Sequence, residues 1–390
     1  MLRIGVGLST DRDSARAAAD AATAAMRSAG VPRADVLLVF ATTAHGPGFT
    51  AVTRTAGEVC GTKEVVGCSA AGVLADDQEV EAGPAVAVLA MAGGLASRRF
   101  FVPLARGSER IADEVADAVG DLDGRDRLLL LFTDSYNVHP EPLLAGLRRR
   151  LPGVTVVGGG ASENGSVGEV SVFAGNATSS RAVAGVALAG DFHATVGVTH
   201  AVRRVGRVHR ITEARGNVVF ALDGRPAYEA FAAVVPAPLL QEPRRALSVV
   251  LVGLPVGEGE FVARHLVGLD PHRGALVVGA LVEEGEELFF GVRDPNGARE
   301  DLQRLLATQS AAWGDAAPAG GLYVNCIGRG RGFYGVPGLD TAYIRQQFGA
   351  LPVAGFSSGA EIAPGGGAPR LHQYTGVLVL LGPAEGAKEG

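Results

Sequence analysis

Apolar positions along the chain gather into short unbroken runs, and small residues end the most telling of them. Residues 2–8 read as a strand; Ser9, Thr10 and Asp11 then offer an N-cap to an Ala-rich helix that runs to about Ser28 and stops at Gly30. VLLVFA at 36–41 is continuously apolar, as a strand covered on both faces must be. A loop, AHGPG, leads to a helix over 50–59. Next come VVGCSAAG at 65–72, a polar loop ADDQEVEAG, and a strand at 85–91. The order returns: a strand at 128–132, a loop at 136–140, a helix over 142–150, VVGGGASENG at 156–165 and a strand at 182–188. It returns again with GLYVNCI at 321–327, the Gly-rich loop GRGRGFYGVPG, and a helix over 341–348 capped by Asp340. VAGFSSGAE at 353–361 and a strand at 376–381 complete this copy. Leu37 to Val65 and Leu128 to Val156 are both 28 residues apart, and Leu322 to Val353 are 31 apart, so the pattern predicts one β-α-β-loop-β unit used three times. Each small-residue rim offers bare backbone N–H groups at a strand end, which suggests a pocket.

Between the second and third copies the texture changes. Stretches 194–203, 207–211 and 217–222 alternate apolar and polar, as half-exposed antiparallel strands do. Asp223-Gly224 reads as a turn and Pro226 opens a helix over 227–234. Strands are expected at 247–252, 275–281 and 287–292, with a longer helix over 298–312. The division between halves is expected at 215/216, and the last eight residues, PAEGAKEG, read as a frayed tail. The fold class is therefore α/β, with mixed sheets built from repeated units.

Composition narrows this. A chain of 390 residues, 47% hydrophobic and 19% charged, can bury a large core and is not disordered. A net charge of −6 lacks the basic footprint of a nucleic-acid binder. Three scattered cysteines give no disulfide framework, MLRIGVGLSTDRD has no signal-peptide pattern, and no apolar run reaches the roughly 20 residues of a membrane span. A cytoplasmic protein is expected.

Most catalytic motifs fail on spacing. Gly5-Val6-Gly7 lacks the third glycine of a dinucleotide loop, and Gly158-Gly159-Gly160 carries Glu163 in its place. No two histidines sit at helical ligand spacing, and no Cys-x-x-Cys occurs. Gly355-Phe356-Ser357-Ser358-Gly359 matches G-x-S-x-G, but AEIAPGGGAP after it cannot form the helix a nucleophile elbow needs. Cys68 and Cys326 sit at strand ends beside glycines, where buried inert thiols are the rule.

DVLLVFAT…VVGCSAAGVL, GNVVFALDGRPAYEAF and CIGRGRGFYG…LPVAGFSSGAEIAP…LHQYTGVLVLLG resemble, in that order, the FIST family. The resemblance implies a FIST N-terminal domain at 30–215, preceded by the strand and helix of 1–29, and a FIST C-terminal domain at 216–382. It implies a non-catalytic sensory protein of bacterial signal transduction that binds small ligands, with amino acids proposed among them. Since the chain stops about where the second domain would, signalling is expected to pass to a separate output protein. Relatives usually place Gly directly before the motif's Glu; here Ala360 intervenes. Some relatives are reported to bind haem and answer nitric oxide, and His45 and His139, in corresponding loops, are then the candidate axial ligands. A small-molecule hydrolase using Ser357 or Cys68 is the competing reading.

Arg329 and Arg331 follow a predicted strand, the usual place of a ligand crevice in open α/β sheets. Arg forks onto carboxylates and Glu361 suits an ammonium group, so the loops fit a zwitterion. Arg329 and Glu361 pairing with each other is the bland alternative. The expected ligand-binding set is Cys68, Ser69, Asn325, Cys326, Arg329, Arg331, Ser357, Ser358 and Glu361, with no metal.

Overall fold

The continuous apolar runs become the middle strands of three separate six-stranded sheets. The computed structural model describes residues 1–104, 108–121, 124, 126–314 and 316–384. Each sheet draws four strands from one stretch of chain, and all three stretches run strand, helix, strand, helix, strand, hairpin, strand. The first uses strands Arg3–Ser9, Val36–Thr42, Val65–Ala70 and Val86–Ala92 with helices Ser14–Ala29 and Phe49–Cys60. The second uses Ala96–Pro103, Asp126–Thr133, Thr155–Gly160 and Ala182–Gly190 with helices Ser108–Val119 and Pro140–Arg150. The third uses Phe192–His200, Gly320–Cys326, Val353–Ser358 and Thr375–Pro383 with helices Pro295–Trp313 and Leu339–Phe348. The repeat is thus larger than the β-α-β-loop-β unit by a leading strand and helix. In each sheet the two strands flanking the second helix are parallel and the others antiparallel, which makes all three mixed.

The hairpins leave their own sheets. Val73–Ala75, from the first unit, pairs with Val353–Ser358 of the third; Val172–Ala174, from the second, pairs with Val65–Ala70 of the first. Glu361–Gly365, from the third, pairs with Thr155–Gly160 of the second. The exchange closes a ring, so every sheet is completed by a neighbour. The inner faces of all three sheets share one core, where Phe40 stacks on Phe356 at 4.6 Å between ring centroids and Phe132 stands edge-on to both. The helices cover the outer faces in three satellite cores.

This packing explains the glycines of the three rims. Gly67, Gly158 and Gly355 lie opposite Val39, Leu131 and Tyr323 on the neighbouring parallel strand. A Cβ on any of them would land on that residue's carbonyl oxygen. The rims are a strand-packing requirement before they are anything else.

Between the first strand of the third unit and its helix, residues 202–293 form a further module. Strands Val202–Arg215, Glu287–Arg293, Val250–Gly257, Glu260–Asp270, Ala275–Val278 and Val218–Leu222 pair antiparallel in that order. The last pairs back on the first, which closes a six-stranded barrel with its own core around Phe231 and Phe290. The strand expected at 247–252 begins only at Val250, because Pro243 opens a helix over Pro243–Val249. The expected division at 215/216 falls in the turn joining two paired strands of this barrel. Pro383 ends the last strand and Ala384 is buried; the rest of the expected tail, 385–390, lies outside the described residues. Among the described residues no helix is long and apolar enough to cross a membrane.

Candidate functional site

Strand registers identify equivalent places in the three units. Cys68, Gly159 and Phe356 pair with Phe40, Phe132 and Val324 across their parallel ladders. The incoming hairpins set Val172 opposite Cys68, Glu361 opposite Gly159 and Val73 opposite Phe356. Two valines and a glutamate therefore hold the same buried position. Glu361 is 0% exposed. Its Oε2 accepts from the Thr375 N–H at 3.2 Å and the Thr375 hydroxyl at 2.7 Å, while Oε1 is enclosed without a partner. Burial pushes this carboxyl up to about 8, against the opposing pull of the Thr375 bonds and the Arg329 charge. At neutral pH it carries its proton.

Neutral groups surround it. His372 lies opposite Glu361 on the hairpin and His200 opposite Thr375 in the third sheet, their rings 6.4 Å apart. Burial lowers His200 to about 4, with Asp301 opposing, and His372 to about 3, with His200 adding to the effect. Nδ1 of each is enclosed and unpartnered. The Cys326 thiol is pushed up to about 12 by burial, with the Glu361 charge adding to it. The barrel closes this side: Phe261 stacks on His200 at 4.1 Å, and the Tyr374 hydroxyl reaches His265 Nε2 at 3.0 Å.

The other face of the third sheet carries the row Thr199, Gly376, Asn325, Ser357. The Tyr323 hydroxyl occupies the space that a side chain at Gly376 would need, and donates to Asp340 Oδ2 at 2.9 Å. Arg329, wholly buried, donates from Nε at 3.1 Å and Nη2 at 3.3 Å to the same carboxylate. Burial works against the guanidinium charge, and Asp340 overcomes it and holds the group protonated. Arg329 Nη1, Asn325 Oδ1, Thr199 Oγ1 and the Tyr334 hydroxyl are enclosed without partners. Buried polar atoms are nearly always satisfied, so these two clusters at one sheet end are the candidate site.

Two expectations are corrected here. Arg329 does not pair with Glu361; its fork is closed on Asp340, which leaves Nη1 alone for any ligand. Asp340 is not a helix cap: the helix starts at Leu339 behind Gly338, and Asp340 turns into the core because Arg329 and Tyr323 are there.

Of the expected site residues, Asn325, Cys326, Arg329 and Glu361 come to this sheet end. The Arg331 side chain is exposed, and its backbone N–H donates to the Glu81 carboxylate at 2.9 Å. Cys68 is sealed in the central core, its thiol pushed well above the ordinary range by burial. Ser69 donates to the Ser162 carbonyl at 3.2 Å and accepts from the Ser171 N–H at 2.9 Å. Ser358 donates to the Gly160 and Ala360 carbonyls. Ser357 is half-buried, and its carbonyl accepts from the Ser162 hydroxyl. Thr199, His200, Tyr323, His372 and Thr375 were not foreseen; their one signal was that each stands at or next to a polar break in an apolar strand.

Ser357 is followed by Ser358, two residues of bend and the strand Glu361–Gly365, so no helix N-terminus points at its hydroxyl. His45 is 1% exposed with Nδ1 held to the Ser14 hydroxyl at 3.0 Å, while His139 is exposed at the start of a helix. His45 Nε2 is enclosed without a partner, and neither histidine lines one of the described cavities. Among the described residues no group of three or more His, Cys, Asp or Glu is placed to hold a metal ion.

Comparison with known proteins agrees with this architecture. The FIST N domain matches residues 35–225 and the FIST C domain residues 227–364, and the two matches meet inside the barrel. A Mycobacterium tuberculosis H37Rv protein described as uncharacterized protein Rv0628c is 34% identical over 391 residues, covering 97% of this chain and 100% of its own. A Mycobacterium bovis protein described as uncharacterized protein Mb0898c is 32% identical over 389 residues, covering 97% and 99%. FIST domains are in general sensory domains of signal transduction rather than catalysts. The chain belongs to the FIST family.

Proposed function

We propose that the enclosed polar end of the third sheet binds a small amine-bearing ligand, an amino acid foremost, and that a separate cytoplasmic output protein reads its occupancy. One observation carries this: Glu361 keeps an unpartnered carboxyl oxygen in the core at a position where the other two units hold valine. A position needed only for packing would gain from staying apolar, since burying an unsatisfied polar group costs free energy. An ammonium group beside Glu361 would favour the carboxylate, lower its pKa and release its proton. The neutral His200 and His372 leave acceptor capacity for the remaining ammonium hydrogens. Arg329 Nη1 and the Tyr334 hydroxyl, on the other face of the same sheet end, are donors suited to a carboxylate. The barrel packs on this end through Phe261 and His265, so a ligand that favours one seating of the barrel would shift the population a partner sees.

A thermal-shift panel of the common amino acids, run below and above pH 8, tests the reading. A ligand at 100 times its Kd adds about 2.7 kcal/mol, and the shift should be larger above pH 8 and absent in Glu361→Gln. An unmoved Tm across the panel at both pH values sinks it.

A further inference from the structure

Helix Pro140–Arg150 of the second unit, hairpin strand Ala368–His372 of the third and barrel strand Glu260–Asp270 meet around a cavity of about 480 Å³. Its charged lining is lopsided: Arg148, Arg149, Arg264 and Arg370 against Glu141 alone. Arg264 is 6% exposed. Its Nη1 donates to the Ala263 and Leu371 carbonyls at 2.8 and 3.1 Å, and Nη2 lies 3.6 Å from Glu141. Its Nε is enclosed without a partner. Arg370 reaches only the Gly365 carbonyl, at 3.4 Å, and among the described residues neither it nor Arg148 or Arg149 makes an ion pair. The neighbouring Arg150, on the other side of the helix, is closed on Asp113 and Asp117.

Arginines in a last helical turn favour the helix dipole, which accounts for Arg148 and Arg149 on structural grounds. It does not account for Arg264 and Arg370, which two other elements bring to the same cavity. Burial and the neighbouring Arg370 both work against the Arg264 charge, and only Glu141 supports it. Buried charges are normally paired, so the arrangement lacks counter-charge.

We propose that this cavity binds a small, multiply charged oxyanion, a phosphate-bearing or polycarboxylate molecule, with Arg264 as its buried anchor and Arg148, Arg149 and Arg370 as its grips. Guanidinium forks match both oxyanion types. Four positive groups against one negative call for at least a dianion. The place also suits coupling. Arg370 is two residues from His372, which faces Glu361, and Arg264 adjoins His265, which holds Tyr374. An anion here would clamp the barrel to the second and third units beside the sheet end that holds Glu361.

The test uses pyrophosphate and citrate as probes, with chloride at matched ionic strength as the control. Tm should rise with either probe beyond the chloride effect, and titration calorimetry should give a saturable isotherm. Arg370→Gln and the double change Arg148→Glu with Arg149→Glu leave the buried Arg264 intact. Each should weaken binding by about tenfold or more, the scale of one lost charge-assisted hydrogen bond. Glu141→Gln should tighten it several-fold, since it removes the only negative charge in the lining, an outcome that a purely structural arginine cluster would not give. Glu361→Gln should leave it intact, which separates this site from the amine site. Whichever probe binds tighter names the anion class. A response to both probes no greater than to chloride, or one unchanged in Arg370→Gln and in the double variant, overturns the proposal.

Discussion

Val172 and Glu361 occupy the same place in consecutive turns of one repeated arrangement and do opposite things there. Val172 faces Cys68 and fills the space between sheets, where the Ser69 and Ser162 hydroxyls beside it are hydrogen-bonded. Glu361 faces Gly159, whose Cβ position is taken up by the Ser358 hydroxyl and Val324, and brings a carboxyl into the edge of the shared apolar core. The backbone frame, the exchanged hairpins and the glycine contacts are shared. The difference teaches that the repeat supplies the frame, and that a single departure from it at one of three equivalent places brings an unpaired carboxyl oxygen into the core. The copy that carries the carboxyl is also the one that carries the cost in stability.

The largest effects should test the equivalence itself. Gly67→Ala, Gly158→Ala and Gly355→Ala each drive a methyl into a backbone carbonyl that a parallel ladder holds fixed. Each should cost more than about 4 kcal/mol in urea unfolding, or prevent folding. A well-tolerated Gly355→Ala beside a lethal Gly67→Ala would show that the third rim is looser than the first and that the repeat is only approximate.

Next come exchanges across the equivalent positions. Val172→Glu buries a carboxyl with no Thr375 beside it and should cost at least about 3 kcal/mol. Glu361→Val should stabilise by about 1–4 kcal/mol while removing any amine response, because an apolar group of similar shape usually outperforms a buried ionisable one. Equal destabilisation by both changes would mean that Glu361 is a structural keystone of the third unit rather than a departure from the repeat.

How far this contrast could be read from residues alone is instructive. The three units were legible because continuous apolar runs and Gly breaks recur at nearly constant spacing, and the strand pair with its helix imposes that spacing. The leading strand Ala96–Pro103 was not, because ASRRFFVP sits at a sheet edge with half its side chains outward and reads as neither run nor alternation. The hairpin exchange was invisible too, since which sheet accepts Val73, Val172 or Glu361 depends on tertiary packing alone. Arg329 and Glu361 were found by their place after strands. Their partners were missed because Asp340 reads locally as a helix cap and Thr375 falls just ahead of the strand read at 376–381; only the folded core sets Arg329 against one and Glu361 against the other.

A titration sharpens the contrast further. Glu361 has a folded pKa of about 8 against an ordinary 4.5. The folded state keeps a proton that the unfolded state releases, so the group's contribution is intact below its unfolded pKa and is lost as pH rises through the folded value. Relative to Glu361→Gln, the wild type should lose stability progressively between about pH 4.5 and 8, at up to about 1.4 kcal/mol per pH unit, and run parallel above. Glu79, raised to about 7 by burial and the nearby Asp340, acts in the same direction and is present in both proteins, so the difference curve reports Glu361. Parallel curves throughout would place the Glu361 carboxyl in contact with water.

The smallest effect separates the two serines that follow equivalent positions. Ser69 lies one residue beyond Cys68, and its hydroxyl bridges the Ser162 carbonyl and the Ser171 N–H. Ser69→Ala therefore leaves a buried donor and acceptor unmatched and should cost about 1–3 kcal/mol. Ser357 lies one residue beyond Phe356 and is half-buried, with its backbone N–H and carbonyl already engaged by Gly72 and Ser162. Ser357→Ala should stay within about 0.5 kcal/mol of the wild type by urea unfolding, as a surface change does. Hydrolysis of an ester by the wild type that disappears in Ser357→Ala would make the third rim a catalyst despite the strand that follows it. A cost equal to that of Ser69→Ala would instead mean that the Ser357 hydroxyl has a partner of its own, and the third rim would be closed in the same way as the first.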